Sequence, residues 1–345
     1  MKSNTKSTNH FLIILLFIIC GTTAHAQTVN RQLDSDPEKA GFVTSDIDNF
    51  WRAFDLAGKE TDRREKIAIY QREYLDKGSV GLEDFVRMRI KSAENLFNTI
   101  EKLPRFYASV RQSTLRVREM EKRMRKSFQQ FKRIYPDALF PDVYFVIGIA
   151  NTGGTASENG LLIGTELYGL TDKTSRDEFV ELFRNFMPNA KDEAELRSVA
   201  TKYTDVALNP IEGIPAIVAH ESCHFNQKYP PLESLLAKAI QEGACDFIGE
   251  KISGELMNPV QKIYGEKHEA ELWREFQAEM DSKNERNWMY NALTAKTRPP
   301  DLGYFIGYKI SQSFYQNAKD KRQAIRDILQ IKDFPAFLRQ SSYKQ

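Results

Sequence analysis

The chain has 345 residues, with 49 Lys+Arg against 47 Asp+Glu, 41% hydrophobic residues, and only 18 Gly, 13 Pro and 3 Cys. Those proportions exclude collagen-like, low-complexity and disulfide-scaffold classes, and a formal charge of +2 gives no footing for a dedicated nucleic-acid binder. The length allows one large or two ordinary domains with a substantial core.

The N-terminus reads as an address. Lys2 and Lys6 precede an apolar run from Phe11 to Cys20, and Ala24-His25-Ala26 supplies a small–x–small cleavage pattern. The run is too short to span a bilayer, which needs about 20 residues. Residues 1–26 are therefore expected to be a signal peptide, cut after Ala26. Cys20 offers a rival reading as a lipid-modified cysteine, for which Phe17 and Ile19 are poor neighbours. Both readings export the protein to the periplasm or beyond, and membrane attachment is expected only if Cys20 is lipidated. Removing the segment takes away Lys2 and Lys6, which leaves an electrically balanced mature chain containing His220, His224, His268, Cys223 and Cys245.

Residues 27–45 are polar and read as an irregular arm. Residues 46–140 read as a helical region, because apolar side chains recur at three- and four-residue spacing, as in Ile90, Leu96, Phe97 and Ile100. Lys77-Gly78-Ser79 and Leu103-Pro104 punctuate it. The stretch Arg105–Tyr135 is the most basic, and it reads either as a surface that docks on an anionic envelope or, as charge runs usually do, as a solvated face paired with acids elsewhere.

At 141–149 the period changes to a β-branched and aromatic strand, and Gly160–Glu166 reads as a second strand after the Asn151–Thr155 turn. The helical signal resumes after Gly169 and continues to the end, so 141–345 forms one further unit. The expected class is α+β, predominantly helical, with one small sheet.

Ala216–Phe225 contains His220-Glu221-Ser222-Cys223-His224 within a helical pattern. A spacing of four puts both imidazoles on one face, one turn apart, where they can share a cation. Chance predicts about 0.005 matches to such a motif in a chain with so few histidines. Pro230-Pro231 ends that helix, and the next carries Glu242 and, four residues on, Asp246. Glu242 is placed as a third, carboxylate ligand, and Asp246 as the hydrogen-bond acceptor that fixes the tautomer of a ligand histidine. Gly243 is expected to let these two helices approach closely. Two His and one Glu leave a position open, as in catalytic rather than structural zinc sites.

His220-Glu221-x-x-His224 with Glu242-x-x-x-Asp246 resembles the gluzincin branch of zinc metallopeptidases. Together with Tyr144–Tyr168 and Pro300–Tyr308, it resembles a bacterial family of predicted zinc-dependent proteases catalogued as a domain of unknown function, over roughly residues 140–345. The resemblance implies a zincin-like core with its sheet beside the active-site helix, and one Zn²⁺ per chain held by His220, His224 and Glu242. Glu221 would be the general base of a metal-activated water attacking a peptide or protein substrate, and Asp246 would support a ligand. Tyr304 and Tyr308 share a helix face, and either would donate to the oxyanion or else be a core aromatic. His268 is a weaker donor candidate within solvated helix. The strand Gly160–Glu166 would be the sheet edge that pairs with substrate, or else part of an ordinary two-stranded sheet covering the core. Cys223 and Cys245 read as buried thiols or as a disulfide bracing the two ligand helices. The leading expectation is thus an exported zinc metallopeptidase. The alternative is a non-enzymatic envelope protein with a structural or vestigial metal site, acting through its helical region.

Overall fold

The computed structural model describes residues 33–343, except 176–210 (of which 177, 178, 180, 181, 194 and 197 are described), 292, 293 and 296. The signal peptide, Cys20 and residues 27–32 of the arm expected at 27–45 lie outside the described residues; the rest of that arm is not wholly irregular, since it holds two short strands. Chain order begins with strands β1 (Leu33–Asp34) and β2 (Phe42–Val43), then helices α1 (Ser45–Ala57), α2 (Arg63–Tyr70), α3 (Val80–Phe85), α4 (Ala93–Lys102), α5 (Pro104–Leu115) and α6 (Glu121–Ile134). Side-chain oxygens of Asp62, Ser79 and Ser92 accept backbone N–H groups in the first turns of α2, α3 and α4, which satisfies donors that the helix leaves unpaired. Short π-helical turns, Gln71–Leu75 and Val86–Ile90, continue α2 and α3.

Four more strands follow: β3 (Phe140–Pro141), β4 (Val143–Val146), β5 (Gly154–Ala156) and β6 (Leu161–Gly164). They make a four-stranded sheet in the order β2-β4-β6-β5, parallel except for the β5–β6 pair, while β1 pairs separately with β3. Every residue of β4 and β6 is buried, as unbroken apolar runs in central parallel strands demand. This corrects one expectation. The Gly160–Glu166 segment is no edge: β6 is paired on both sides, and its last residues turn into a 3₁₀ helix, Thr165–Tyr168. Gly160 at φ +147° makes the entry to β6, and a Cβ there would stand 2.3 Å from the Asp142 carbonyl oxygen.

The remaining helices are α7 (Ile214–His224), α8 (Leu235–Ser253), α9 (Pro259–Glu279), α10 (Leu302–Asn317), α11 (Lys321–Leu329) and α12 (Phe334–Ser341). α8 lies between α7 and α10. A Cβ on Gly243 would fall 2.1 Å from the Tyr308 nitrogen of α10, and one on Gly307 1.7 Å from the Ala239 oxygen of α8, so these two backbones touch. Gly243 therefore serves the α8–α10 contact and not the α7–α8 contact; toward α7 it is Gly249 that faces the His220 backbone. Helices α1 and α3 cover β4 and β6, and α6 packs on α7 and α8. One continuous set of buried apolar side chains runs from Ala40 to Tyr343. The molecule is α+β with helix predominating. Among the described residues, no helix is long and apolar enough to cross a membrane.

Candidate metal centre

All residues of α7 before His224 are buried, and its i,i+4 spacing sets the His220 and His224 rings 4.8 Å apart on the side that meets α8. Glu242 reaches toward them from α8. The Nε2 atoms of the two histidines are 3.0 Å apart, and Glu242 Oε2 is 3.4 Å from His220 Nε2 and 3.2 Å from His224 Nε2. Three donor atoms at tetrahedral angles around an ion about 2.0–2.1 Å away stand about 3.3 Å from one another. His220, His224 and Glu242 meet that requirement, and they form a group able to hold a metal ion.

The outer partners fix the tautomers. His220 Nδ1–H donates to Asp246 Oδ1 at 2.8 Å, and Asn258 Nδ2 donates to the other oxygen of Asp246 at 2.8 Å. His224 Nδ1–H donates to Gln227 Oε1 at 2.9 Å, and Gln227 Nε2 donates to the Gln241 carbonyl at 2.7 Å, which orients the amide. The Tyr290 hydroxyl donates to Glu242 Oε1 at 3.2 Å. Both Nε2 atoms and one carboxylate oxygen thus face one point, and each of the three side chains is held from behind, as metal ligands are. Asp246 stands where the spacing from Glu242 predicts. Gln227 lies three residues past His224 and was legible as the next polar position on that turn; Asn258 and Tyr290 are remote in sequence and carry no local signal.

Charge supports the same reading. Glu221, Glu242 and Asp246 are each 6–7% exposed, and they crowd two imidazoles. Burial works against charge on His220 and His224, yet the hydrogen bond to Asp246 for the one, and the charge of Glu242 for the other, outweigh it. The pKa of His220 is held well above its usual value, and that of His224 is raised to about 9. Burial also disfavours ionised Glu242, but His224 and His220 overcome this and hold it below the usual carboxylate range, whereas Glu221 is pushed up by burial. Three acids this deep need positive charge beside them, from protons or from a cation.

The other expected residues divide. Tyr304, 4% exposed, stacks against His220 with ring centroids 6.3 Å apart. Tyr308 is drawn elsewhere: its hydroxyl donates to Glu250 Oε2 and accepts from Lys262 Nζ at 2.9 Å. His268 packs on Tyr264 and pairs with Glu271. Cys223 and Cys245 are buried free thiols, with Cys245 Sγ 3.4 Å from His224 Nδ1.

The family model described as gliding motility protein GldB, and designated a lipoprotein form, matches residues 32–345, so the chain belongs to that family. Comparison with curated proteins and with solved structures gives no match. The protein is exported to the cell envelope. The family overturns the expectation of a zinc metallopeptidase and of hydrolase activity, and with it the peptide substrate: it is a motility family, and nothing in its description is enzymatic. The physical reason for the error is that His-Glu-x-x-His spacing specifies a shared cation, whereas a reaction also needs a substrate placed against it.

Proposed function

We propose that this member of the gliding motility family is a non-enzymatic envelope component that acts through protein partners, with its helical region as the contact and its metal site as a structural brace. The observation that carries this is the span of the family match, which takes in α1–α6 as fully as the α7–α8 pair. The likeness to gluzincins then describes a zincin-like helix pair used for holding, in which a divalent cation, Zn²⁺ on the ligand set, ties His220 and His224 of α7 to Glu242 of α8. A lipid on Cys20 would keep the protein at a membrane, in accord with the lipoprotein designation.

On the outer face of α6, Lys122, Lys126 and Arg133 are one to three turns apart, and Lys122, Lys126 and Arg133 make no ion pair with any described residue. They are cations available to an acidic protein partner. In a gliding host that lacks its own copy, the full-length Glu221→Gln protein should restore gliding, whereas Lys122→Glu, Lys126→Glu and Arg133→Glu together should not, although that protein accumulates normally. Failure of Glu221→Gln to restore movement, with the protein folded and metal-loaded, would overturn the non-enzymatic reading.

A further inference from the structure

Glu242 offers two oxygens: Oε2 lies 3.4 and 3.2 Å from the two histidine Nε2 atoms, while Oε1 accepts a hydrogen bond from the Tyr290 hydroxyl at 3.2 Å. We propose that Tyr290 sets the metal selectivity of this site: by occupying Oε1 it keeps Glu242 a one-oxygen ligand and favours a four-coordinate, zinc-type cation over cations that take more oxygen ligands. The inference rests on the metal-site reading above.

Tyr290 is not placed there by a regular element. Its φ is 52°, and that of Asp301 is 58°, so both are non-glycine residues in the left-handed region. Such conformations persist where neighbouring contacts over-determine them. Here Asn291 N–H donates to Asp301 Oδ1 at 3.1 Å, Asp301 N–H donates to Asn291 Oδ1 at 2.8 Å, and Gly303 N–H donates to the Trp288 carbonyl at 2.9 Å. Trp288, fully buried beneath Arg298, anchors the near side. The clamp fastens Trp288 and Asn291, which flank Met289 and Tyr290, to the start of α10, and the Tyr290 ring stands edge-on to Tyr304, which itself stacks on His220.

Coordination chemistry supplies the consequence. Two imidazoles and one carboxylate oxygen suit zinc at a coordination number of four. Manganese and other harder divalent ions prefer more oxygens and octahedral surroundings. Loss of the Tyr290 hydroxyl frees Oε1 to chelate, which raises the coordination number and narrows the gap between the two kinds of ion.

The test uses the whole mature protein, stripped and then titrated with Zn²⁺, Mn²⁺ or Co²⁺. Wild type should show the intense visible absorption of four-coordinate Co²⁺. Tyr290→Phe should show the weak spectrum of a higher-coordinate ion and bind Zn²⁺ about tenfold more weakly or worse. Its Mn²⁺ affinity should hold or rise, so the Zn²⁺:Mn²⁺ preference should fall about tenfold. X-ray absorption of the wild-type zinc protein should find one close carboxylate oxygen; a second one at bonding distance overturns the proposal whatever the variant does. If wild type binds zinc and Tyr290→Phe keeps both its cobalt spectrum and its ion preference, the selectivity role is overturned and the site stands. If wild type binds none of the three ions, both are overturned.

Discussion

In α5 and α6 and the turn between them, Arg111, Arg116, Arg118, Arg123 and Arg125 reach outward to Asp55, Glu212, Asp48, Glu255 and Glu121, with most of these partners a third or more exposed. Around α7 and α8 the carboxylates of Glu221, Glu242 and Asp246 are buried, and those of Glu242 and Asp246 meet histidines. Both regions are rich in charge, yet the same Coulomb attraction does different work in each. At the surface the high dielectric leaves each pair with about 0–1 kcal/mol, so the basic face is solvated and free to be reused. Inside, each charge is costly unless compensated, so the arrangement is rigid and removal of one member is severe. The buried cluster is therefore suited to brace the fold, and the exposed face to exchange partners, as the proposed function requires.

The sharpest way to break this contrast is His220→Ala. It leaves Asp246, 7% exposed, with Asn258 as its remaining hydrogen-bond partner among the described residues and removes one of the three donors of the candidate metal site. A loss of about 3–5 kcal/mol is expected for uncompensated buried charge. Urea unfolding of wild type and variant, each freed of metal by a chelator, measures it. A loss below about 1 kcal/mol would place the cluster in the same energetic class as a surface pair.

The two regions also differ in how far the sequence displayed them. His220 and His224 were legible because helical geometry turns a spacing of four into a shared face, and Glu242 and Asp246 because the same rule applies on the following helix. Helix class and the short strands β4 and β6 were legible from apolar period and from β-branched runs. What no local pattern encoded was the pairing between distant segments. The parallel β2–β4–β6 order, the Gly243–Gly307 backbone contact and the Tyr290 hydroxyl on Glu242 each join residues far apart in the chain. A glycine such as Gly243 announces close approach and does not say to what; here it meets α10 and not α7. The acids that neutralise the basic face were equally out of view: Arg118 meets Asp48 from 70 positions away. Reaction type failed for a deeper reason, since ligands for a cation can serve a brace or a catalyst alike.

A second, intermediate effect concerns pH in the metal-stripped protein. His224 has its folded-state pKa raised to about 9 from 6.5 by the charge of Glu242, against the opposing effect of burial. A raised value means that the histidine's contribution is fully present below about pH 6.5 and is lost as pH climbs through about 9. Glu242 has its value lowered from 4.5, so its contribution is present above that pH and lost as acid reaches the folded-state value. Stripped protein should therefore be most stable between about pH 4.5 and 6.5 and weaken steadily toward pH 9. With metal bound, the ligands are already deprotonated and affinity rises with pH, so the loaded curve should stay level or rise over the same window. Thermal unfolding at a series of pH values, with and without metal, reads the widening gap; parallel curves would show that no cation replaces those protons.

The smallest effect belongs to the exposed region. Arg118 Nη2 lies 2.7 Å from Asp48 Oδ1, with both side chains about half exposed, 51% and 52%. Truncation to Ala should cost no more than about 0.5 kcal/mol, and the difference should shrink as salt rises toward the range where screening acts within a few ångströms. Urea unfolding at low and high ionic strength measures both quantities. A loss above about 2 kcal/mol, insensitive to salt, would mean that this pair behaves as a buried one and that the outer face is part of the brace. A loss near zero instead leaves the cations of α5 and α6 energetically uncommitted to the fold, which is the condition under which an acidic partner can draw on them without unfolding the molecule that presents them.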